Sequence, residues 1–498
     1  MSTFVAADRV VDLPVERAFA LFGDADAPGW LFGARCDRVV PGAAVSLHLP
    51  ADGRGFGGDL WILGRFSRVT AGSVVEIEHT QPWRGRLVVR FRGVGPRRTR
   101  VVVQMTLPPS GVDWLMHRAG VPLPEPDDDR AVRIGTLSTM SGAGAVFAAS
   151  SQAMAELAVA EVNADGGVAG RPLALLTADD ATDPEQAARE ARRMARLGCR
   201  AIFVNCTSAS FEAARDALAL TDVLLVHSVI NEGGGETSRA IRLAERPRTQ
   251  VEALIAPMMR ASGARRWFLV GHSYVWSTGA HADARAAIAR AGGHVAGERL
   301  APIGATDFAT VIEAVQASGA DLLLSSLNGE SEVAFQRQSQ AAGLRETVQA
   351  ASLVLDESTL SHIGERAAEG LRTALAYFQH GPADGNGELL SRYRSAHGPW
   401  APPITTLSET VYEAIHQYAR VLHRDPDGRA EGHGRALLTR TSAGCDAVGA
   451  RTLVAPSLYT AVASRAELHI DDVVTTPPLP RAPRLVTGGV RRSPRSAR

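Results

Sequence analysis

Two short segments contain residue types that could perform catalysis. Asp179 and Asp180 could act as paired carboxylates or as magnesium ligands. Because adjacent residues on a strand point to opposite faces, the pair is better suited to a turn or a helix N-cap before Pro184. The segment Gly271-His272-Ser273 lacks the trailing glycine of a nucleophile elbow, which argues against a serine hydrolase.

Cofactor and metal chemistry find no support in the sequence. Gly142 and Gly144 resemble the start of a dinucleotide-binding loop, but Phe147 occupies the position of the third glycine. The chain contains no lysine, which excludes Schiff-base, Walker-A and Ser-x-x-Lys mechanisms. The 4 cysteines and 14 histidines show no metal-binding spacing. The sequence therefore predicts a protein that is not an enzyme and needs no cofactor or metal.

Composition restricts the partners of the chain. Its 498 residues include 53 Lys+Arg and 53 Asp+Glu, and 45% are hydrophobic, which is typical of a globular protein without direct nucleic-acid binding. No segment reaches the roughly 18–20 apolar residues of a membrane span. The start MSTFVAADRVVDLP lacks the basic and apolar regions of a signal peptide, which predicts a cytoplasmic location. An upstream signal peptide would make the location extracytoplasmic.

The elements that must position functional residues change in type near residue 120. Six β-type segments within residues 5–107 and a helix at Pro14–Phe22 predict an antiparallel sheet domain over residues 1–119. The proline-rich, acidic stretch at 120–131 predicts a linker. Residues 477–498 contain six arginines and no acid, which predicts a disordered basic tail, with a docking peptide as the alternative.

Beyond the linker, strands and helices alternate. Val132–Leu137 and Ala201–Val204 are apolar segments that precede helical patterns, and a similar series restarts at Trp267–Gly271. This alternation predicts two parallel sheets with helices on both faces. Ligands of such sheets bind outside the carboxyl ends of the strands, so we expect a binding cleft between the two units.

Eight motifs between Arg133 and Val474 resemble the type I periplasmic-binding-protein fold. In order they are RIGTLSTMSG, AELAVAEVNADGGVAGRPL, ADDATDP, NCTSAS, LLVHSVINEGGG, FLVGHSYVW, DLLLSSLNGESEVAFQRQ and AEGLRTALAYFQ. Within this Leu/Ile/Val-binding-protein-like family, the segment is most similar to receptors for urea and short-chain amides. The resemblance implies a two-lobed α/β domain at 132–476. One lobe would comprise about 132–262 and 380–445, and the other about 263–378 and 446–476.

The resemblance also implies a set of ligand-binding residues on the loops that follow the strands. They are Cys206, Thr207, Ser208, His227, Val229, Glu232, Tyr274, Trp276 and Asn328. Relatives carry an aromatic residue at the position of Cys206 and often tyrosine at that of His227, so the pocket would differ in shape. Other roles stay open: Ser208 could cap a helix, His227 could be a satisfied loop histidine, and Tyr274 could be a core residue.

Charge complementarity favours an uncharged ligand. Amino-acid receptors of this fold need an acid that faces the ammonium group, and the corresponding loop here is Leu353-Val354-Leu355. An ammonium group buried without a partner would be costly. Asp356 and Glu357 lie just beyond this loop. The sequence leaves open whether one of these carboxylates faces the ligand.

The front domain resembles the helix-grip fold of the START and polyketide-cyclase (SRPBCC) superfamily. The resemblance rests on LPVERAFALFGDADAPGW and on the closing strands RLVVRFRGVGPRRTRVVVQMTL. The long final helix of that fold is reduced here to about Gly111–Arg118. The predicted fold class is therefore a two-lobed α/β type I periplasmic-binding-protein fold preceded by a smaller α+β helix-grip domain.

These observations lead to three hypotheses about function. The first is an intracellular sensor that binds a small neutral amide or urea and is read by a regulator protein. The second is the substrate-binding component of an ABC transporter for urea, amides or branched-chain amino acids, with a permease as partner. The third is a lipid carrier or cyclase-like enzyme centred on the front domain. A homodimer is left open.

Overall fold

The N-terminal elements form one antiparallel sheet. The computed structural model describes residues 3–20, 33–49, 60–121, 130–443, 452–454 and 456–474. The first elements are β1 (Thr3–Val11), α1 (Val15–Ala20), β2 (Arg35–Cys36), β3 (Ala44–Leu49), β4 (Leu60–Thr70), β5 (Val74–Gln81), β6 (Gly85–Gly95), β7 (Arg98–Leu107) and α2 (Pro109–Arg118). The strands pair in the order β1-β7-β6-β5-β4-β3-β2. We call β1–β7 with α1 and α2 the N-terminal sheet domain.

Side-chain alternation gives this sheet one apolar face. Val75 and Ile77 on β5 and Leu87 and Val89 on β6 are each two residues apart, so each pair points to the same side. Ala18 of α1 packs into the same cluster and is fully buried. The cluster is the core of this domain.

The helix-grip prediction is not confirmed, although the N-terminal region is rich in β-strands. The final helix α2 has ten residues, and Gly111 is its only buried residue. A Cβ added to Gly111 would stand 2.7 Å from a carbon of Trp83, and the Trp114 ring lies 5.4 Å from the Trp83 ring, so α2 packs on the turn between β5 and β6. Trp30, most of the predicted linker and the tail at 477–498 lie outside the described residues.

The second sheet has five parallel strands. Its elements are β8 (Val132–Ser138), a 3₁₀ turn at Ala145–Ala148, α3 (Ser151–Ala164), β9 (Leu173–Asp179), α4 (Pro184–Arg196), β10 (Ala201–Asn205), α5 (Ser208–Ala217), β11 (Leu224–His227) and β12 (Ala240–Arg242). The strand order is β12-β11-β10-β8-β9. Residues 145–164 are apolar and long enough to cross a membrane, but 78% of their most apolar window is buried, as expected of a core helix.

The third sheet has seven strands. Its elements are α6 (Pro247–Ser262), β13 (Arg266–His272), α7 (Val275–Arg290), β14 (His294–Ala301), α8 (Ala309–Ser318), β15 (Leu322–Ser326), α9 (Gly329–Ala341), a 3₁₀ turn at Leu344–Glu346, β16 (Gln349–Ser352), α10 (Glu357–Ile363), α11 (Glu365–Ala368) and β17 (Arg372–Leu375). The chain then adds α12 (Asn386–His397), α13 (Thr406–Arg424) and α14 (Ala430–Ala443), which pack on the second sheet, and β18 (Leu458–Ser464) and β19 (Glu467–Val474). The order is β14-β13-β15-β16-β17-β18-β19, with β18 and β19 antiparallel to their neighbours.

Two lobes result, and their boundary differs from the prediction. Lobe 1 contains the second sheet with α3–α5 and α12–α14, and lobe 2 contains the third sheet with α6–α11. Helix α6 was predicted to end lobe 1 near residue 262. Its buried residues Val251, Leu254 and Ile255 instead pack with Trp267 and Leu269 of β13. The first crossing between the lobes therefore precedes α6.

One buried carboxylate ties the crossings together. Glu245 lies between β12 and α6, and its Oε1 accepts hydrogen bonds from the Ala376 amide (2.9 Å) and the Thr406 hydroxyl (2.6 Å). Ala376 follows β17, where the chain returns to lobe 1, and Thr406 begins α13. The neighbouring residue Ala244 bridges to Val454 on the third crossing. The three segments in which the chain passes from one lobe to the other, before α6, after β17 and at Val454, thus meet at one point, which is the hinge.

Candidate ligand-binding site

A small cavity lies between the lobes at the carboxyl ends of the strands. Its volume is about 30 Å³, which leaves room for one or two water molecules. It is lined by Phe147, Cys206, Thr207, Ser208, Val229, Ile230, Tyr274, Trp276, Asn328, Val354 and Leu407. The wall therefore contains all the predicted ligand-binding residues except His227 and Glu232.

The first helical turn of α5 forms the lobe 1 wall. Thr207 is the N-cap, and its hydroxyl oxygen accepts a hydrogen bond from the Ser210 amide at 3.2 Å. Capping therefore falls to Thr207, and Ser208 is the first helical residue. The Ser208 hydroxyl donates to Glu232 Oε2 at 2.6 Å, which turns Glu232 toward the cavity wall although it does not line the cavity.

An ion-pair network fixes Glu232 from behind. Arg242 is almost fully buried and donates to Glu232 Oε1 at 2.9 Å, and it also contacts Glu212. The Arg242 guanidinium lies 4.7 Å from the centre of the Phe211 ring, a cation–π distance. The negative charge of Glu232 is consequently compensated by Arg242, so Glu232 is not a free partner for a ligand cation.

His227 supports the wall without joining it. Its ring stacks on Phe211 at 4.4 Å, and its Nε2 lies 3.1 Å from the carbonyl oxygen of Cys206. Burial, with a smaller contribution from the charge of Arg242, lowers the pKa of His227 to about 3. His227 is therefore neutral at physiological pH and donates to the Cys206 carbonyl, which holds the loop that carries Cys206.

Two N-cap residues form the polar part of the lobe 2 wall. Tyr274 precedes α7, and Asn328 precedes α9. The Asn328 side-chain amide donates to the Tyr274 hydroxyl at 3.1 Å, and the Asn328 backbone amide donates to His272 Nε2 at 3.3 Å. Burial, followed by the charge of Glu232, raises the pKa of Tyr274, so the phenol stays protonated.

Two buried polar atoms of this wall have no hydrogen-bond partner within the described part of the chain. They are Oδ1 of Asn328, an acceptor, and Nε1 of Trp276, a donor. Buried polar groups in proteins are nearly always hydrogen-bonded, so unpaired atoms of cavity-lining residues are candidates for hydrogen bonds to a ligand. Together they suit a molecule that offers one hydrogen-bond donor and one acceptor.

The lining residues carry no ionisable acid or base other than the protonated Tyr274 and the buried thiol of Cys206. Burial raises the pKa of Cys206, which keeps the thiol neutral. Val354, from the loop considered for charge complementarity, is apolar and lines the cavity. Asp356 instead caps α10 by accepting from the Thr359 amide at 2.8 Å, and Glu357 accepts from the Gln379 amide.

Four lining residues were not predicted from the sequence to contact a ligand. They are Phe147, Ile230, Val354 and Leu407. Phe147 belongs to the loop after β8, whose glycines drew attention only to dinucleotides. The rule that ligands bind at the carboxyl ends of parallel strands could have found Phe147 and Ile230. Leu407 comes from α13, about 200 residues from β10, and no local signal indicated it.

The adjacent aspartates accept hydrogen bonds from backbone amides two residues further on, at Ala181 and Thr182, and neither aspartate is the predicted N-cap before Pro184. Asp179 Oδ1 accepts from the backbone amides of Met140 and Ser141 at 3.0 and 3.1 Å and so shapes the loop after β8. Asp180 accepts from the Ser210 hydroxyl at 2.6 Å. The N-cap before Pro184 is Asp183.

A Ser–His–Glu relay in lobe 2 has the spacing of a catalytic triad but no room for a substrate. Ser326 Oγ lies 3.0 Å from His281 Nε2, and His281 Nδ1 lies 2.6 Å from Glu298 Oε1. Ser326 is fully buried, and a Cβ on Gly271 would stand 2.2 Å from its hydroxyl. The relay therefore holds α7 against β14 and β15. Within the described ranges, no group of three or more His, Cys, Asp or Glu could hold a metal.

A comparison with known families decides the class of this protein. The family model described as periplasmic binding protein matches residues 131–437, more than half of the chain. The chain belongs to the periplasmic binding protein family. Its two lobes, hinge and interlobe cavity are those of a two-lobed α/β ligand-binding protein, and family members of this kind bind ligands and are not enzymes.

Individual relatives agree with this assignment. The Leu/Ile/Val-binding protein of Escherichia coli (strain K12) is 30% identical over 95 residues, 19% of this chain and 26% of that protein. The Leu/Ile/Val/Thr-binding protein of Salmonella typhimurium is 24% identical over 245 residues, 48% of this chain and 66% of that protein. The chain thus matches less than two thirds of either curated relative.

Solved structures support the fold. An ABC transporter solute binding protein of R. palustris, in complex with 4-hydroxybenzoate, superposes with a TM-score of 0.62 at 18% identity. The match covers 70% of this chain and 98% of that protein. At this identity the likeness bears on the fold alone.

The comparisons correct one prediction and leave another unsupported. The predicted cytoplasmic location is wrong, because it rested on the residues at the start of the chain, whereas the family consists of periplasmic proteins. The intracellular-sensor hypothesis loses its basis with it. The finer assignment to urea and amide receptors is not shown, since the curated relatives bind branched-chain amino acids by name.

Proposed function

We propose that this chain is the substrate-binding component of an ABC transporter, in which the two lobes close around a small ligand and deliver it to a permease. The observation that carries the proposal is the interlobe cavity, where Ser208 from lobe 1 and Tyr274, Trp276 and Asn328 from lobe 2 converge. Their position on opposite sides of a hinge supports a ligand-dependent equilibrium between open and closed forms.

For the ligand we infer a small neutral molecule such as urea or a short-chain amide. The wall has no ionised side chain, and a charged ligand would lose its hydration without gaining a partner. A ligand carbonyl could accept from Trp276 Nε1, and a ligand N–H could donate to Asn328 Oδ1. The small volume of the cavity supports a molecule of few heavy atoms.

The competing ligand is a branched-chain amino acid, which the names of the curated relatives favour. Such a ligand needs a carboxylate for its ammonium group. Glu232, which accepts from the lining residue Ser208, is already bonded to Arg242. This arrangement supports the neutral ligand over the zwitterion.

Calorimetric titration tests both parts of the proposal. We expect acetamide or urea to bind at one site, and leucine to bind more weakly or not at all. A preference for leucine would refute the ligand assignment while keeping the receptor function. Failure of acetamide, urea and leucine alike to bind or to protect the protein against thermal unfolding would contradict the proposed function.

Two tryptophans provide a matched pair of variants. Trp276→Phe removes the unpaired indole N–H at the cavity, and Trp267→Phe removes an equally unpaired N–H from the core of lobe 2. Loss of one hydrogen bond to the ligand should weaken acetamide binding by about 2- to 10-fold in Trp276→Phe. Trp267→Phe should bind acetamide as the wild type does, and equal losses in both variants would refute the role of Trp276.

A further inference from the structure

The N-terminal sheet domain contacts lobe 1 through α2 and the turn after β5. His117 Nε2 lies 2.7 Å from Glu190 Oε1 on α4, and Arg118 donates to the Ser141 hydroxyl at 3.1 Å. The chain continues from α2 toward β8 of the lobe 1 sheet. The domain is therefore bound to lobe 1 both covalently and by side-chain contacts.

The same domain also contacts lobe 2. Arg35 donates to Glu330 Oε1 on α9 at 3.2 Å, and Arg65 donates to the Ser361 hydroxyl on α10 at 3.2 Å. Near α11, the Glu365 carboxylate lies 3.3 Å from the Arg38 guanidinium. These contacts come from β2, the segment after it and β4, so a single sheet spans both lobes.

Three hydrogen bonds hold the loop after β8, one from the N-terminal sheet domain and two from lobe 2. Gln81, a buried residue of the N-terminal sheet domain, donates to the Ala145 carbonyl at 3.0 Å. From lobe 2, the Glu330 amide donates to the Ala143 carbonyl at 2.9 Å, and the Ser358 hydroxyl donates to the Val146 carbonyl at 2.8 Å.

The position of this loop matters for the cavity. The side chains of Ala145 and Val146 pack in the apolar core of lobe 2, although the loop begins at a lobe 1 strand. The next residue, Phe147, lines the interlobe cavity. Gln81 therefore acts on the cavity through the loop that carries Phe147, as a positioning residue.

We propose that the N-terminal sheet domain is a latch that holds the two lobes closed over the cavity, with Gln81 positioning the loop that carries Phe147. A rigid body docked on both lobes must release one of them before the lobes can separate. Because the domain is covalently continuous with lobe 1, the contacts with lobe 2 are those that break. The role in ligand capture rests on the proposed receptor function.

The latch should raise the affinity of the protein for its ligand. The affinity of a ligand falls with the fraction of protein in the binding-competent form. If the contacts with α9, α10 and α11 stabilise the closed form, removing them lowers that fraction. Ligand should then dissociate faster, and the protein without ligand should open.

Small-angle X-ray scattering of the full chain without ligand tests the latch directly. The test variant is Glu330→Ala combined with Ser361→Ala, which removes the lobe 2 side-chain acceptors of Arg35 and Arg65 and leaves the N-terminal sheet domain unaltered. The control is Asp321→Asn, which removes an exposed ion pair with Arg266 elsewhere in lobe 2. We expect a larger radius of gyration for the test variant, and an unchanged one for the control.

Two results would overturn the proposal. One is a wild type that already scatters as an open form, and the other is a test variant whose radius equals that of the wild type. Arg38→Gln is a second variant at a largely exposed side chain, so folding is not at risk, and it should shift the radius in the same direction. No shift in either variant would also count against the latch.

The result of the scattering test for the latch does not depend on the proposed function. The scattering comparison needs no ligand, so failure of acetamide to bind leaves the latch testable. Conversely, acetamide binding with unchanged scattering refutes the latch alone. If both hold, the double variant should bind acetamide about 3- to 10-fold more weakly than the wild type.

Discussion

Two buried carboxylates near the hinge have raised pKa values. Burial raises the pKa of Glu357 to about 8, with Asp356 as a neighbouring negative charge, and burial raises the pKa of Asp356 to about 6. Glu357 accepts a hydrogen bond from the Gln379 amide, just after the second crossing between the lobes. Its protonation state therefore bears on the stability of the hinge region.

The first prediction concerns pH. An unfolded glutamate ionises near pH 4.5, whereas Glu357 in the folded protein keeps its proton up to about pH 8. Between these values only the folded state holds the proton, so the free energy of unfolding falls as pH rises, by about 1 kcal/mol per pH unit. Glu357→Gln should therefore match the wild type near pH 4, become progressively more stable than the wild type between about pH 4.5 and pH 8, and keep that difference above pH 8.

Guanidinium chloride unfolding followed across pH 4–9 measures this difference, because urea is itself a proposed ligand. The exposed Glu346→Gln serves as the control and should parallel the wild type at every pH. A Glu357→Gln curve that stays parallel to the wild type over the whole range would show that Glu357 ionises normally.

At the residue scale, the sequence predicts side chains near a recognisable motif better than side chains brought in by topology. Ser208, Tyr274 and Asn328 each follow a strand inside a motif, and all three line the cavity. Leu407 and Phe147 were not predicted as contacts. Their positions depend on how α13 and the loop after β8 return to the cleft, which no local pattern encodes.

The helices that position the site depend on their N-caps. Helix α4 begins at Pro184, with Asp183 as N-cap accepting from the Glu185 amide at 2.9 Å. Asp183→Ala should lower the free energy of unfolding by about 0.5–2 kcal/mol, because one amide of the first turn loses its partner. Asp183→Asn keeps a capping oxygen and should cost less.

Chemical denaturation of the two variants gives the comparison. An alanine variant as stable as the wild type would mean that water replaces the cap without cost. Ligand affinity should be unchanged in both variants, since α4 does not line the cavity.

At the element scale, strand and helix alternation in 132–376 follows from apolar segments separated by helical patterns, and the structure has that alternation. Packing partners are harder to predict. Helix α6 carries an apolar face that could cover either sheet, and the structure pairs it with β13. The sequence specifies the face but not the sheet, so the predicted lobe boundary was wrong by one helix.

Closure of the whole molecule depends on a close approach between the lobes. Gly329, the first residue of α9, has φ +57, and an added Cβ would stand 2.1 Å from the Ala143 carbonyl oxygen of the loop after β8. Gly329→Ala should hold the lobes apart and weaken acetamide binding by at least about tenfold, or about 1.4 kcal/mol.

A glycine outside the interface separates closure from backbone strain. Gly263 has φ +74 with no atom within 4 Å of an added Cβ. Gly263→Ala therefore imposes similar strain without the clash and should lower stability while leaving affinity unchanged. Equal affinity in Gly329→Ala and the wild type would mean that the lobes tolerate the extra methyl group.

At the scale of the molecule, the docking of the N-terminal sheet domain on both lobes was beyond prediction from sequence. The contact between Arg35 and Glu330 joins residues 295 positions apart. Each is an ordinary surface charge in its own segment, so only the assembled fold brings them together.

The three described cysteines are buried within the fold. Cys36, Cys199 and Cys206 are all buried, and burial raises the pKa of Cys199 to about 12 and that of Cys206 well above its usual range. Thiolates, not thiols, react with oxidants and disulfides. Cys199 and Cys206 should therefore resist oxidation in the folded protein, and alkylating reagents should modify them only after unfolding.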